Sequence, residues 1–343
     1  MNYFQAPFSW RLKMRNIPVI IEKGKTLADA YEKALMSLWD RGCRFKTQYD
    51  KPEDSESIDA TMNITVEEPF SDPMIHKAFP GGINDLREYV MELQGYKDHW
   101  IKNIDDPRDT RWSYTYHGRF KNYGAYKKKL NKKSKGHPLW PNAQDGIKVG
   151  TNIVNQIEIV IQKLIEQPFT RQAQLITWMP YLDLYDCHSP CLQSIWLRMA
   201  EDDGVYWLNY NIRIRSNDAW GAYFMNSFGI TMFVKEIIAD EISKRTGKEV
   251  KLARMNWQAD SWHIYGKDIK SFKEMFINRV PFHEEERIET FPNRIYNFSD
   301  EIVREIYNES TSIVKAKITQ QDQKYIQKNK QDEFPFMEMC QKF

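Results

Sequence analysis

Cysteine is scarce in this chain: Cys43, Cys187, Cys191 and Cys340 are the only four among 343 residues. So few thiols in so long a sequence exclude a disulfide-stapled scaffold. Cys187 and Cys191 stand four apart with His188 between them, but no second cysteine pair completes a zinc set, so no metal is expected. No run of eighteen apolar residues occurs, which excludes a membrane-spanning helix. The opening MNYFQAPFSWRLKMRN lacks the apolar stretch and small-residue cleavage site of a secretory signal. Net charge is small as well. The 49 Lys and Arg against 47 Asp and Glu leave +2, too little for a whole-molecule field that gathers nucleic acid. The lysine-rich run between residues 127 and 135 reads as a solvated face within a loop rather than as a nucleic-acid site. Internal repeats and long low-complexity tracts are also missing. Together these absences predict a cytoplasmic protein whose thiols stay reduced.

What the chain has in abundance is aromatic side chains, with 11 Trp, 18 Tyr and 18 Phe, enough for a large core. Apolar runs at period two predict strands in NIPVII, SIDATMNITV, AQLITW, CLQSIWLRM, VYWLNYNIRIR and EVKLARMNWQADSWHIYG. Helical spacing appears after Lys25 and again in INDLREYVMELQG, which follows a Pro-Gly-Gly break. It recurs in NQIEIVIQKLIEQ, which stops before Pro168, and in MNSFGITMFVKEIIADEISKRTG, which ends at a glycine. This order predicts an α/β (α+β) fold, a mixed sheet with packed helices. Residues 1–270 are expected to form the catalytic domain, and 271–343 a mainly helical extension packed on it.

Three segments carry groups capable of chemistry. In SPCLQSIW, Cys191 stands at the mouth of a predicted strand, where reactive groups are often displayed, although a cysteine there can equally be core. In RIRSNDAWGAYFMN, Arg215 and Ser216 can hold a phosphate, one through a fork of N–H groups and the other through its hydroxyl; the alternative is an exposed polar turn. In ADSWHIYG, His263 and Tyr265 alternate onto one strand face and can share a ligand, or be a satisfied core pair.

Pro-Cys-Leu-Gln, then Arg-Ser-Asn-Asp with Asn226 eleven residues after Arg215, then Ala-Asp-Ser-Trp-His-Ile-Tyr, resembles the thymidylate synthase family in order and spacing. That family includes the pyrimidine nucleotide hydroxymethylases. The resemblance runs with gaps from about residue 20 to residue 270 and implies a thymidylate synthase-like fold. It also implies C5 one-carbon transfer from 5,10-methylenetetrahydrofolate to a pyrimidine nucleoside monophosphate. Cys191 would be the nucleophile. Cys187, followed by histidine as in many members, is the competing candidate, but Gln193 and the apolar strand after it match at Cys191. Glu88, seven residues before Gly95, resembles the catalytic glutamate, and Tyr116 in YTYHGRF a tyrosine near the base. Asn226 would bind the base edge, Asp218 would lie near the folate, and His263 with Tyr265 would bind the sugar hydroxyl. Arg171 matches the first of two arginines lent to the partner subunit's phosphate site, so a homodimer is implied. Gln172 stands where the second arginine is usual.

The resemblance favours dUMP and a methyl product; the Asn226 amide, once flipped, suits cytosine as well, which keeps dCMP or CMP as the alternative substrate. The closing PFMEMCQKF does not match the apolar tail with which many synthases exclude water, which keeps a hydroxymethyl product open. A non-catalytic nucleotide- or RNA-binding role on the same fold, and a cysteine hydrolase, are the readings from other classes.

Overall fold

A computed structural model describes residues 16–102, 109, 111–124, 153–184 and 189–340. The lysine-rich run and the Cys187–His188 pair lie outside the described residues. The elements run β1 (Val19–Gly24), α1 (Leu27–Arg41), β2 (Cys43–Phe45), β3 (Ser57–Val66), β4 (Ile75–His76), α2 (Ile83–Leu93), α3 (Tyr116–Lys121), α4 (Gln156–Glu166) and β5 (Ala173–Ile176). They continue through α5 (Pro180–Asp183), β6 (Leu192–Asp202), β7 (Val205–Asp218), α6 (Tyr223–Phe233), α7 (Asp240–Thr246) and β8 (Val250–Ile264). The last are α8 (Ile269–Phe272), α9 (Glu284–Thr290), β9 (Ile295–Tyr296) and α10 (Glu301–Cys340).

Seven strands make one mixed sheet in the order β1-β3-β8-β7-β6-β5, with β2 also paired to β3. The β1–β3 and β7–β8 pairs are parallel; the others are antiparallel. Every predicted strand is present. The alternation on β3, β7 and β8 has its physical origin in a sheet with one covered face. Ile58, Ala60, Met62, Ile64, Leu208, Tyr210, Ile212 and Trp257 point into the core, while Asn63, Asn211, Arg213 and Gln258 point the other way. The buried face meets α1, α2 and α6 around an aromatic nest in which Tyr31 packs on Phe224 at 5.0 Å and Tyr223 on Trp257 at 5.0 Å. The apolar area hidden here is the main favourable contribution to folding.

Local signals set the helix starts. Thr26 accepts from the Asp29 amide at 3.5 Å while Asp29 accepts from the Lys25 amide at 2.7 Å, which fixes the start of α1. Asn155 caps α4 from the Glu158 amide at 3.2 Å. The helix predicted through MNSFGITMFVKEIIADEISKRTG is continuous but carries a π-helical turn, Val234–Ala239, between α6 and α7. α10 buries Val303, Tyr307, Ser310, Val314 and Ile318, spaced three or four apart, against α2. No helix among the described residues is long and apolar enough to cross a membrane.

Candidate active site

The β6–β7 hairpin brings two of the motifs together. It turns tightly at Asp203 and Gly204, whose φ values of 51° and 76° suit an aspartate–glycine turn. Its arms run in antiparallel register from the Asp202–Val205 pair at the tip to the Leu192–Ile214 pair at the base. Cys191 precedes the first arm and Arg215 follows that last pair on the second. The Arg215 amide donates to the Cys191 carbonyl at 2.9 Å. The Arg215 guanidinium donates to the Ser189 carbonyl at 2.7 Å and to the Pro190 carbonyl at 3.1 Å. The arginine therefore ties down the turn that carries the thiol.

Cys191 is partly buried and unpaired by any disulfide. Burial pushes its thiol above the ordinary cysteine range, and Arg215 pulls the other way. Three tyrosines stand within electrostatic reach of the sulfur on the α2–α3 side: Tyr89, Tyr114 and Tyr116. Burial raises all three, so their hydroxyls remain protonated donors at neutral pH. The Tyr116 hydroxyl accepts from the Leu192 amide at 3.3 Å, next to the thiol. Tyr114 lies over the Arg119 guanidinium at 5.2 Å. Arg119 in turn is locked in a buried pair with Asp183 at 2.9 Å.

Glu88 and Glu92 lie one turn apart on α2 and share Lys97, at 2.9 and 3.2 Å. Lys97 is itself buried between the Trp100 and Trp112 rings, 5.5 and 5.4 Å from their centroids. Glu88 also receives Lys317 of α10 at 2.5 Å. Burial works against its charge, but the hydrogen bonds from Lys317 and Lys97 hold its carboxyl below the usual range. Glu92 has the opposite balance. Burial raises it, Lys97 only partly opposes this, and its charge is felt by Tyr89 and Tyr116. Sequence reasoning missed Glu92 because a glutamate on an amphipathic helix carries no local mark of its depth.

Most of the remaining predicted residues lie at the same C-terminal end of β7 and β8 as Arg215. Ser216 and Asp218 lie opposite Ser261 and His263 in the parallel register. Asp218 accepts the Trp220 and Gly221 amides at 3.1 and 2.8 Å, both on Oδ1, and Oδ2 has no hydrogen-bond partner among the described residues. Burial raises its carboxyl and those two amides oppose the rise. His263 is buried and packs edge-on to Tyr265, with ring centroids 4.6 Å apart. Tyr265 lies within electrostatic reach of both Cys191 and Asp218. Asn226 sits on the first turns of α6, partly buried, and its side-chain amide has no hydrogen-bond partner among the described residues. Arg171 stands apart: it is exposed in the turn before β5, and among the described residues only its carbonyl is engaged, by the Trp196 indole at 3.0 Å. Among the described residues no group of three or more His, Cys, Asp or Glu is placed to hold a metal ion.

The thymidylate synthase family model matches residues 75–328. A protein of Methanococcoides burtonii named "Putative thymidylate synthase" is 25% identical over 248 residues, covering 72% of this chain and 89% of that relative. A protein of Methanocaldococcus jannaschii with the same name is 25% identical over 263 residues, covering 74% of this chain and 95% of the relative. The solved structure of thermostable thymidylate synthase A from Bacillus subtilis matches with a TM-score of 0.48 and 14% identity over 74% of this chain and 84% of that one. With the family model spanning well over half of its length, this chain belongs to the thymidylate synthase family.

Proposed function

We propose that this enzyme converts dUMP to dTMP, with Cys191 as the nucleophile and 5,10-methylenetetrahydrofolate as the one-carbon donor. The observation that carries the reading is the base of the β6–β7 hairpin, where a partly buried free thiol sits on a turn tied down by Arg215, with the Tyr116 hydroxyl bonded to the next residue's amide. Cys191 as thiolate adds to C6 of the uracil, which makes C5 nucleophilic. Arg215 lowers the cost of that thiolate and, with Ser216, holds the nucleotide phosphate. The Asn226 amide presents one donor and one acceptor, a match for O4 and N3–H of uracil. Glu88 handles the proton at O4 as charge moves through the ring. The folate supplies the methylene carbon and then a hydride, and Asp218 Oδ2, without a partner among the described residues, would accept from a ring donor of that co-substrate. Loss of the C5 proton and release of the Cys191 sulfur complete the exchange.

We also propose that the active form is a homodimer built on the sheet face that the described residues leave uncovered. Val19 and Ile21 of β1 are 66% and 70% exposed there, and Trp207 of β7 and Trp196 of β6 lie partly open on the same face further across the sheet. The Trp196 indole, on this face, donates to the Arg171 carbonyl at 3.0 Å, which supports a role for Arg171 at a partner's phosphate. Gln172 leaves that phosphate one cation short of the usual pair.

Two experiments test the enzyme reading. Incubation with 5-fluoro-dUMP and methylenetetrahydrofolate should give a covalent adduct on the peptide containing Cys191, lost in Cys191→Ser; a fully folded wild type that forms no adduct would sink it. Product analysis with dUMP should give dTMP and dihydrofolate in equal amounts. The hydroxymethylase reading draws on one feature, that Phe334–Met337 are part of the helix α10. Hydroxymethyl-dUMP accumulating without dihydrofolate would establish it.

A further inference from the structure

Behind the nucleotide-facing residues, β3 contributes a group that no motif singles out. Asp59 lies opposite His263 across the β3–β8 pair, and Ser261 sits two residues before His263 on the same face. The three are linked in a chain. The Ser261 hydroxyl donates to Asp59 Oδ2 at 2.8 Å, and the Ser261 oxygen lies 3.1 Å from His263 Nδ1. At the far end, His263 Nε2 is buried with no protein partner among the described residues.

The direction of this chain follows from proton counting. An ionised carboxylate only accepts, and a serine has a single hydroxyl proton. With that proton on Asp59, the serine oxygen can meet Nδ1 only as an acceptor. Nδ1 must therefore carry the imidazole hydrogen, and Nε2 is left as a bare lone pair. Burial holds the Asp59 carboxyl above its usual range, and the Ser261 hydroxyl, His263 and the Ala60 and Trp262 amides pull it back toward the ionised form. Burial keeps His263 itself neutral, since it lowers the ring's affinity for a second proton more than Asp59 raises it. A buried acceptor without a donor is costly, so the site is built for a ligand O–H or N–H at that point.

We propose that Asp59 and Ser261 are positioning residues that fix His263 in its Nδ1–H form, so that the pocket selects nucleotides whose sugar 3′-hydroxyl donates to Nε2. This rests on the reading of His263 as a sugar contact. It goes beyond that reading in assigning the tautomer, the donor–acceptor sense and two further residues. A nucleotide lacking the 3′-hydroxyl leaves the lone pair unpaired, and one esterified there offers no proton.

The test has two arms. Nitrogen-15 NMR of His263 in the ligand-free protein should show Nδ1 as the protonated nitrogen and Nε2 as the bare one. The reverse assignment overturns the proposal, and this arm needs no variant. Binding of dUMP and of 2′,3′-dideoxy-UMP is then compared in wild type, Ser261→Ala and Ser261→Thr. Wild type should prefer dUMP by up to about tenfold, the size of one hydrogen bond. The preference should collapse toward parity in Ser261→Ala and persist in Ser261→Thr, which keeps the hydroxyl. An equal preference in wild type and Ser261→Ala overturns the proposal, as does no preference in wild type. Wild type binding neither nucleotide would overturn the dUMP reading along with it, whereas dUMP binding without discrimination removes this inference alone.

Discussion

The Cys191 thiol is raised by burial and lowered by one cation, Arg215. The folded-state value lies above the ordinary one, so the sulfur is mostly protonated at neutral pH and its alkylation should accelerate as pH rises through that value. Arg215→Ala removes the opposing charge and should push the midpoint higher still, slowing alkylation near pH 7 by roughly tenfold for every whole pH step the midpoint climbs. Iodoacetamide rates across pH, with the labelled peptide identified by mass, measure this; an unmoved midpoint would show that the guanidinium only braces the turn. Glu88→Gln should cost on the order of a hundredfold in kcat if Glu88 manages the O4 proton. A smaller loss there than in Glu92→Gln, by steady-state kinetics, would transfer the role to Glu92. Much of this site was legible in the residues. Cys191, Arg215, Tyr116, His263 and Tyr265 do converge on one region, since each is in or beside a strand or helix whose order the sequence carried. Asp59 and Glu92 were not legible. Asp59 meets Ser261 across 202 positions of sequence, and no local period announces such a partner.

At the scale of elements, α10 and α2 act on one another. Met91, Trp100, Val314 and Ile318 close a small apolar cluster between them, and Arg87 reaches Thr311 at 2.8 Å. Met91 is fully buried, so Met91→Ala should destabilise the protein by roughly 2–5 kcal/mol, readable from denaturant unfolding. The ion pair between Lys317 and Glu88 makes the helix an electrostatic neighbour of the proposed acid–base group. Glu88 titrates low because of it. Lys317→Ala should raise the Glu88 value, moving the acid limb of the kcat profile to higher pH while the alkaline limb stays in place. An acid limb that does not move would mean Lys97 alone sets the charge of Glu88. The sequence carried the strands and most helix ends because capping residues and period-two alternation are local physics. It did not carry the strand order, which is fixed by packing between distant segments. The polar stretch after residue 271 had helical character but no motif, and the partners of α10 on α2 emerge only from the assembled fold.

For the molecule as a whole, the described residues cover one face of the sheet and leave the other open to a second copy. If the open face meets a second copy, each pocket draws Arg171 from its neighbour. Cys191→Ser and Arg171→Ala would then be separately inactive or weak, yet mixing them after dissociation should restore roughly a quarter of wild-type activity, because half the dimers are hybrids with one complete pocket. No recovery in verified hybrids would show that Arg171 serves its own subunit or none. The hairpin described above bears on the same molecule in a different way. Cys191 and Arg215 meet at its open end, while Asp203 and Gly204 close it at the far end of the two arms. Lengthening both arms by matched pairs leaves every face and every contact at the open end where it was. The tip is thus a place where the chain can absorb an insertion, natural or engineered, without the chemistry noticing: a peptide tag or a fluorophore carrier spliced between Asp203 and Gly204 should leave turnover intact.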